Sequence, residues 1–305
     1  LENFAACPYR FLLSAIHRLE PREEPVAPVQ LDPLTRGRLV HEVQAAVLRK
    51  LRSDNALPVL PDTVAAATRV LDRILDEIAG QYDEDLAPAI PRVWSDEVGQ
   101  IRADLRMWLR RMAQDGETWV PTRFEMRFGL PDDGNAEPGS VRDPVELPGG
   151  WKLRGAIDLV EEREDGTVLR VTDHKTGADR TNPGFVVGGG ETLQPVLYSM
   201  VVEAMQDVPV AEARLSFCTS RGGFQDRTVE INEWSRLQGR QALGTIAKAL
   251  EEGLLVPSPR RSTWKRPGAC AMCDFRVVCG PNEERRSQRK KTPVLEQLKD
   301  LRELP

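Results

Sequence analysis

Residues 151–177 read WKLRGAIDLVEEREDGTVLRVTDHKTG, and the alternation inside them decides the fold class. Two strand patterns, WKLRGAIDLVEE (151–162) and TVLRVTDHK (167–175), flank a Glu-Asp-Gly turn, which predicts an antiparallel pair. Strand side chains alternate between faces, so Asp173 and Lys175 point the same way, about 7 Å apart along the strand. Asp158 falls on the neighbouring strand, within reach of both. Two carboxylates converging beside an ammonium are costly to bury, and a divalent cation held by the carboxylates relieves that cost. A lone Asp-x-Lys on a strand is otherwise an ordinary ion pair worth little, so the rest of the chain decides between the two readings.

Upstream, PTRFEMRFGL (121–130) alternates Phe124, Met126 and Phe128 with Arg123, Glu125 and Arg127, and begins the sheet. Residues 131–150, rich in Pro, Gly and Asp, read as a variable loop. Downstream, three glycines (188–190) precede a helix, ETLQPVLYSMVVEAM (191–205), in which Gln194 and Tyr198 are four apart and share a face. Those glycines do not make a nucleotide-binding fingerprint, and with no GxxxxGK[ST] the chain has no mark of an ATP motor. Strands ARLSFCTS (213–220) and QDRTVEI (225–231) and a helix over 233–252 complete an α/β pattern, with Cys218 as a core thiol.

Further upstream, residues 1–19 carry a helical pattern with Phe4, Leu12, Leu13, Ile16 and Cys7. A connector with Pro21, Pro25, Pro28 and Pro33 leads to a helix beginning near Thr35, whose buried stripe is Leu39, Val43, Val47 and Leu51. Gly37 and His41 share another face, and the missing side chain at Gly37 leaves room there for a strand or ligand. Residues 61–115 read as two amphipathic helices, a helical insertion over about 53–115 with no evident chemistry. Its arginines Arg102, Arg106, Arg110 and Arg111 form either a phosphate-tracking surface or a solvated face.

With 42 Lys and Arg against 47 Asp and Glu, the net charge of −5 excludes a globally basic nucleic-acid coat, although not a local basic groove. No apolar run approaches the roughly 18 residues that span a bilayer, and no signal peptide is visible, so a soluble, cytoplasmic protein in a reducing compartment is expected. The start at Leu1, without Met and inside a helical pattern, suggests an excised domain or the C-terminal part of a longer polypeptide.

The second informative stretch is CAMCDFRVVCG (270–280). Thiols at Cys270, Cys273 and Cys279 in a proline-flanked segment converge on a metal rather than pack, and Cys7 is the candidate fourth ligand because Cys218 belongs to the sheet. Such a site ties position 7 to position 270, a clip worth about 5 kcal/mol of loop entropy. Four thiolates alone do not choose between zinc and an iron-sulfur cluster.

In this order the motifs resemble the PD-(D/E)XK nuclease superfamily, in particular its RecB-like branch with an iron-sulfur staple, as in AddB-type nuclease domains. The family's Gly-x-x-x-His matches Gly37 and His41, and its Gly-x-x-Asp matches Gly155 and Asp158. Asp-Tyr-Lys-Thr-Gly matches residues 173–177 with His174 in place of tyrosine, and Gln-x-x-x-Tyr matches Gln194 and Tyr198. The staple matches Cys7, Cys270, Cys273 and Cys279. Leu159 stands where the family often has arginine, which removes one phosphate contact.

The resemblance implies a restriction-endonuclease-like α/β fold: a central mixed sheet flanked by helices, with a 4Fe-4S cluster joining the N- and C-terminal segments. Residues 1–305 would be one nuclease domain, with a core over about 120–252 and a cysteine segment at 268–281. It implies a Mg²⁺- or Mn²⁺-dependent nuclease acting on DNA, single-stranded by preference, in a repair or recombination helicase-nuclease. The metal would be held by His41, Asp158, Asp173 and the His174 backbone carbonyl. Lys175 would orient water or stabilise the transition state, and Gln194 and Tyr198 would position the strand being cut. Two other readings are a catalytically inactive DNA-binding or scaffolding module of such a complex and a zinc-ribbon interaction protein. The latter leaves Asp158, Asp173 and Lys175 unexplained.

Overall fold

The computed structural model describes the chain except residues 21–26, 132, 133, 135, 164, 264, 265 and 291, together with the side chains of 284 and 292–294. Pro21 and Pro25 of the connector, Glu164 of the turn and Lys291 therefore lie outside the described residues.

The chain opens with α1 (Glu2–Ala6) and α2 (Pro8–Phe11), followed by a π turn at Leu12–Ile16. The helical pattern of 1–19 is thus interrupted at Cys7, where the backbone is extended and Pro8 follows without an N–H to continue the first helix. Helix α3 (Pro33–Ser53) starts two residues before the expected Thr35, because the Asp32 side chain accepts from the N–H groups of Leu34 and Thr35 and Pro33 opens the first turn. Its stripe of Leu39, Val43, Val47 and Leu51 is buried as the periodicity predicts. Against it pack α4 (Val64–Leu86) and α5 (Pro91–Asp115), through Leu71, Leu75, Ile101, Leu105 and Leu109. Arg102 and Arg106 are spent on Asp72 across the α4–α5 interface, and Arg111 lies 3.8 Å from Asp226.

The strands are β1 (Trp119–Phe128), β2 (Val145–Leu147), β3 (Trp151–Leu153), β4 (Gly155–Arg163) and β5 (Leu169–Lys175). The single strand expected over 151–162 is two. Gly149 and Gly150, both at positive φ, turn the chain so that β3 pairs with β2 in a separate ribbon, and only past Arg154 does it join the main sheet. The expected loop over 131–150 therefore contains a strand. Helix α6 (Gln194–Gln206) then leads to β6 (Val210–Phe217), β7 (Asp226–Glu230) and α7 (Glu233–Glu251). The chain finishes with α8 (Arg276–Cys279), α9 (Glu283–Gln288) and α10 (Thr292–Glu303).

Two compact units emerge. The first comprises residues 25–179 and 198–230, and holds the five-stranded sheet in the order β1-β4-β5-β6-β7. All neighbours are antiparallel except β5 and β6, whose parallel pairing needs the long connection carrying α6. The sheet is mixed, as expected. On it Glu161 is buried and accepts from Arg170 at 2.7 and 2.8 Å and from Thr172 at 2.8 Å. Burial alone would raise the Glu161 pKa, but the Arg214 and Arg170 charges outweigh it and hold it down at about 2.

The second unit comprises residues 1–24, 180–197 and 231–305. The glycine run serves packing: Val187 and Gly188 donate to the Pro305 carbonyl, and Gly189 to that of Leu304. A Cβ on Gly189 would stand 2.9 Å from the Arg302 carbonyl oxygen. Arg302 in turn donates to the carbonyls of Ala5 at 2.9 Å and Ala6 at 3.1 Å, closing the end of α1 beside Cys7. Within the basic stretch at 285–290, Arg286 bonds Glu283 and the Cys279 carbonyl, and Lys290 lies 3.7 Å from Glu283. No helix among the described residues is long and apolar enough to cross a membrane.

Candidate active site

Three elements of the first unit aim side chains at one point. Helix α3 brings His41, β1 brings Glu125 and β4 brings Asp158; one ligand atom from each lies within 4.8 Å of the others. His41 Nδ1 is 3.5 Å from Asp158 Oδ1 and 3.8 Å from Glu125 Oε1. Gly37 lets the DHKTG loop approach α3: a Cβ there would already touch Thr176 Oγ1 at 3.4 Å. The alternation of β1 had placed Glu125 on the polar face without assigning it a role. Its backbone is left-handed, with φ of 53°, a strained conformation for a residue with a side chain and one that clusters at functional sites.

The pairing Leu159–Thr172 makes Asp158 and Asp173 the next facing residues on β4 and β5. Asp173 is buried, and Lys175 Nζ lies 2.6 Å from its Oδ2, on the shared face that strand alternation predicts. Among the described residues, Asp173 is not in the 4.8 Å cluster with His41. The Asp158 Oδ2 atom accepts from the His174 backbone N–H at 2.6 Å. The His174 ring is buried and accepts at Nε2 from the indole N–H of Trp108, 3.2 Å away, a contact that helical spacing on α5 gave no means of finding.

Electrostatics follow from this crowding. Burial disfavours a charged His41, but the hydrogen bond and charge of Asp158, with Glu125 and Asp173 behind, raise its pKa to about 9. Burial and then the Asp158 charge push Glu125 up to about 7, against the pull of His41. Burial and Asp158 likewise raise Asp173, against Lys175, whereas the His41 contact outweighs burial at Asp158 and lowers it. Burial drops His174 to about 4, so its ring is neutral.

On α6, the Gln194 backbone N–H donates to Glu2 Oε1 at 3.3 Å. The Tyr198 ring packs edge-on against Phe128, and its hydroxyl reaches the backbone at Gly155, three residues before Asp158 on β4. A cavity of about 690 Å³ opens over His41 and Glu125 and is rimmed by Arg38, Arg49 and Arg127.

In the second unit, Cys7, Cys270, Cys273 and Cys279 line one cavity of about 290 Å³, and none of these four is disulfide-bonded. Burial and then the neighbouring Cys7 push Cys279 up to about 11, with Glu283, Cys273 and Cys270 adding to it. Among the described residues, no three of the sulfurs come within 4.8 Å of one another. Cys218 stands apart in the core of the first unit, its thiol raised by burial to about 12.

The model of the PD-(D/E)XK nuclease superfamily matches residues 1–280. The chain belongs to this superfamily. Among curated proteins it is 23% identical over 213 residues to the B-type subunit of an ATP-dependent helicase/deoxyribonuclease from Clostridium tetani (strain Massachusetts / E88), covering 68% of this chain and 18% of that protein. It is 26% identical over 185 residues to the corresponding subunit from Alkaliphilus metalliredigens (strain QYMF), covering 58% of this chain and 15% of the relative. The chain thus spans less than a fifth of these relatives' length. PD-(D/E)XK nucleases typically use divalent metals, and the donor set here fits one: carboxylate oxygens of Glu125 and Asp158 converge with one imidazole, and burial and the Asp158 charge raise the adjacent Asp173.

Proposed function

We propose that this chain is the nuclease domain of a DNA helicase-nuclease and hydrolyses phosphodiester bonds, with single-stranded DNA as substrate. The reading is carried by the convergence of His41, Glu125 and Asp158, with the Asp173–Lys175 pair on the adjacent strand. His41, Asp158, Asp173 and the His174 carbonyl would hold Mg²⁺ or Mn²⁺, with Glu125 as an added donor. When bound, the cation supplies an acidified water and neutralises charge on the phosphate.

The remaining work falls to protein groups. Lys175, kept beside Asp173, offers a compact cation with three donors to the attacking water or to the oxygens gaining charge. Arg38 lies one turn before His41 on α3 and Arg127 two residues after Glu125 on β1, so both line the cavity where a phosphodiester backbone would run. They supply the positive charge that Leu159 does not. Gln194 and Tyr198, on one face of α6, are assigned to seating that backbone. Residues 1–305 then act as one domain, working beside a helicase domain or subunit.

The four cysteines are proposed to hold a structural 4Fe-4S cluster. Tetrahedral zinc, with Zn–S near 2.3 Å, would need sulfurs about 3.8 Å apart, closer than any three of them come here. An anaerobic preparation without visible absorbance but with stoichiometric zinc would sink this assignment. For the activity, the test is Mg²⁺- and Mn²⁺-dependent cleavage of end-labelled single-stranded DNA by the anaerobic protein beside Asp173→Ala. Cleavage by the parent and none by the variant is expected. DNA binding without cleavage by either would favour the inactive binding module.

A further inference from the structure

A side chain of the helical insertion reaches the candidate cation site. Trp108, on α5, is buried and stands edge-on to the His174 ring, with centroids 5.8 Å apart and planes at 82°. Its Nε1 lies 3.2 Å from His174 Nε2. An indole N–H can only donate, so His174 Nε2 accepts, and the proton of the neutral imidazole is left on Nδ1. That Nδ1 faces Asp158 Oδ2 at 4.0 Å, and the His174 backbone N–H donates to the same oxygen at 2.6 Å. The other Asp158 oxygen is the one turned toward His41.

We infer that Trp108 is a positioning residue for the divalent-cation site: by anchoring the His174 ring, it holds in place the His174 backbone N–H that aims Asp158 at the ion. The inference rests on the metal-dependent reading of the site. A core position among Leu105, Leu109 and Met112 could be filled by phenylalanine, whereas a buried indole must find an acceptor for its N–H, and here that acceptor is a residue bonded to a proposed ligand. The chemistry at 174 matters equally. A tyrosine, which the family resemblance places there, carries a hydroxyl that donates or accepts as it rotates, while a neutral imidazole gripped at Nε2 can only accept from the indole, so its ring is held in one orientation against α5.

Groups that orient a metal ligand from behind typically change metal affinity by about 10–100-fold when removed. The experiment is Mn²⁺ binding, followed by the electron paramagnetic resonance signal of free Mn²⁺, on the full chain and on Trp108→Phe, His174→Phe and the double variant, with thermal midpoints recorded in parallel. Expected are an about tenfold loss of affinity in each single variant and no further loss in the double, because both changes break one chain of contacts. A wild-type His174 carrying its proton on Nδ1, read from the ¹⁵N shifts of the ring, is the companion result. Trp108→Phe binding Mn²⁺ as tightly as wild type, fully additive losses, or an Nε2-protonated His174 would overturn the inference while leaving the cation site intact. A wild-type chain that binds no Mn²⁺ overturns the cation reading itself and this inference with it.

Discussion

His41 Nδ1 lies 3.5 Å from Asp158 Oδ1, so without a metal an imidazolium occupies the place where a cation would be held. His41 is raised from 6.5 to about 9 in the folded chain; the stability it contributes is complete below 6.5 and lost as pH rises through about 9. Glu125, raised from 4.5 to about 7, acts in the same direction over its own lower interval. A bound cation needs those protons gone. The thermal shift produced by Mn²⁺ should therefore be small at pH 6 and grow toward pH 9, while the advantage of metal-free wild type over His41→Ala shrinks across the same range. Scanning fluorimetry with and without Mn²⁺ decides it; a metal-induced shift largest at pH 6 would count against the assignment.

The backbone at Glu125 makes a second expectation. At ordinary strand positions glycine is less stable than alanine by about 0.5–1 kcal/mol. At φ of 53° any side chain costs about 1–2 kcal/mol. Glu125→Gly should thus be more stable than Glu125→Ala by about 1 kcal/mol, an inverted order measurable by urea denaturation. The usual order would mean that the strand relaxes there.

Glu161 offers a third. Replacing it by alanine leaves buried Arg170 without the carboxylate that holds it through two bonds, which should cost about 3 kcal/mol. Because its pKa is depressed to about 2, the stability it contributes is present above 4.5 and lost as pH falls through about 2. Acid titration of the two proteins should therefore converge at the low end. Parallel curves down to pH 2 would refute this.

The cysteine cavity supplies a fourth. Cys7→Ser, made and purified without oxygen, should lose the visible absorbance of the proposed cluster and about 5 kcal/mol of stability, since that proposed clip would tie position 7 to position 270. Unchanged colour in this variant would assign the ligand elsewhere.

Much of the fold was legible because it rests on periodicity. The 3.6-residue stripe of α3 and the two-residue alternation of β1 from Arg123 to Phe128 survive in the burial pattern. The break at Arg154 was not legible, because a β-like run continues through it and only the Gly149–Gly150 turn diverts the first part to another partner. In the candidate site, spacing put Gly37 beside His41 and Asp173 beside Lys175. It could not put Glu125 opposite Asp158, because that depends on a register shift between Pro121 and Arg123 that no composition encodes. Nor could it pair Trp108 with His174, since helical spacing reads an indole only as bulk.

Cys7 and Cys279 line the same cavity from opposite ends of the sequence. Synthesis runs in one direction at about 5–20 residues per second, so the first thiol waits roughly 15–55 s for the last. Until residue 279 has been made, the four-thiol chamber does not exist, and a chain released early has no way to build it. Every strand of the five-stranded sheet precedes Cys270, so the four-thiol chamber closes only in chains whose entire sheet has already been synthesised.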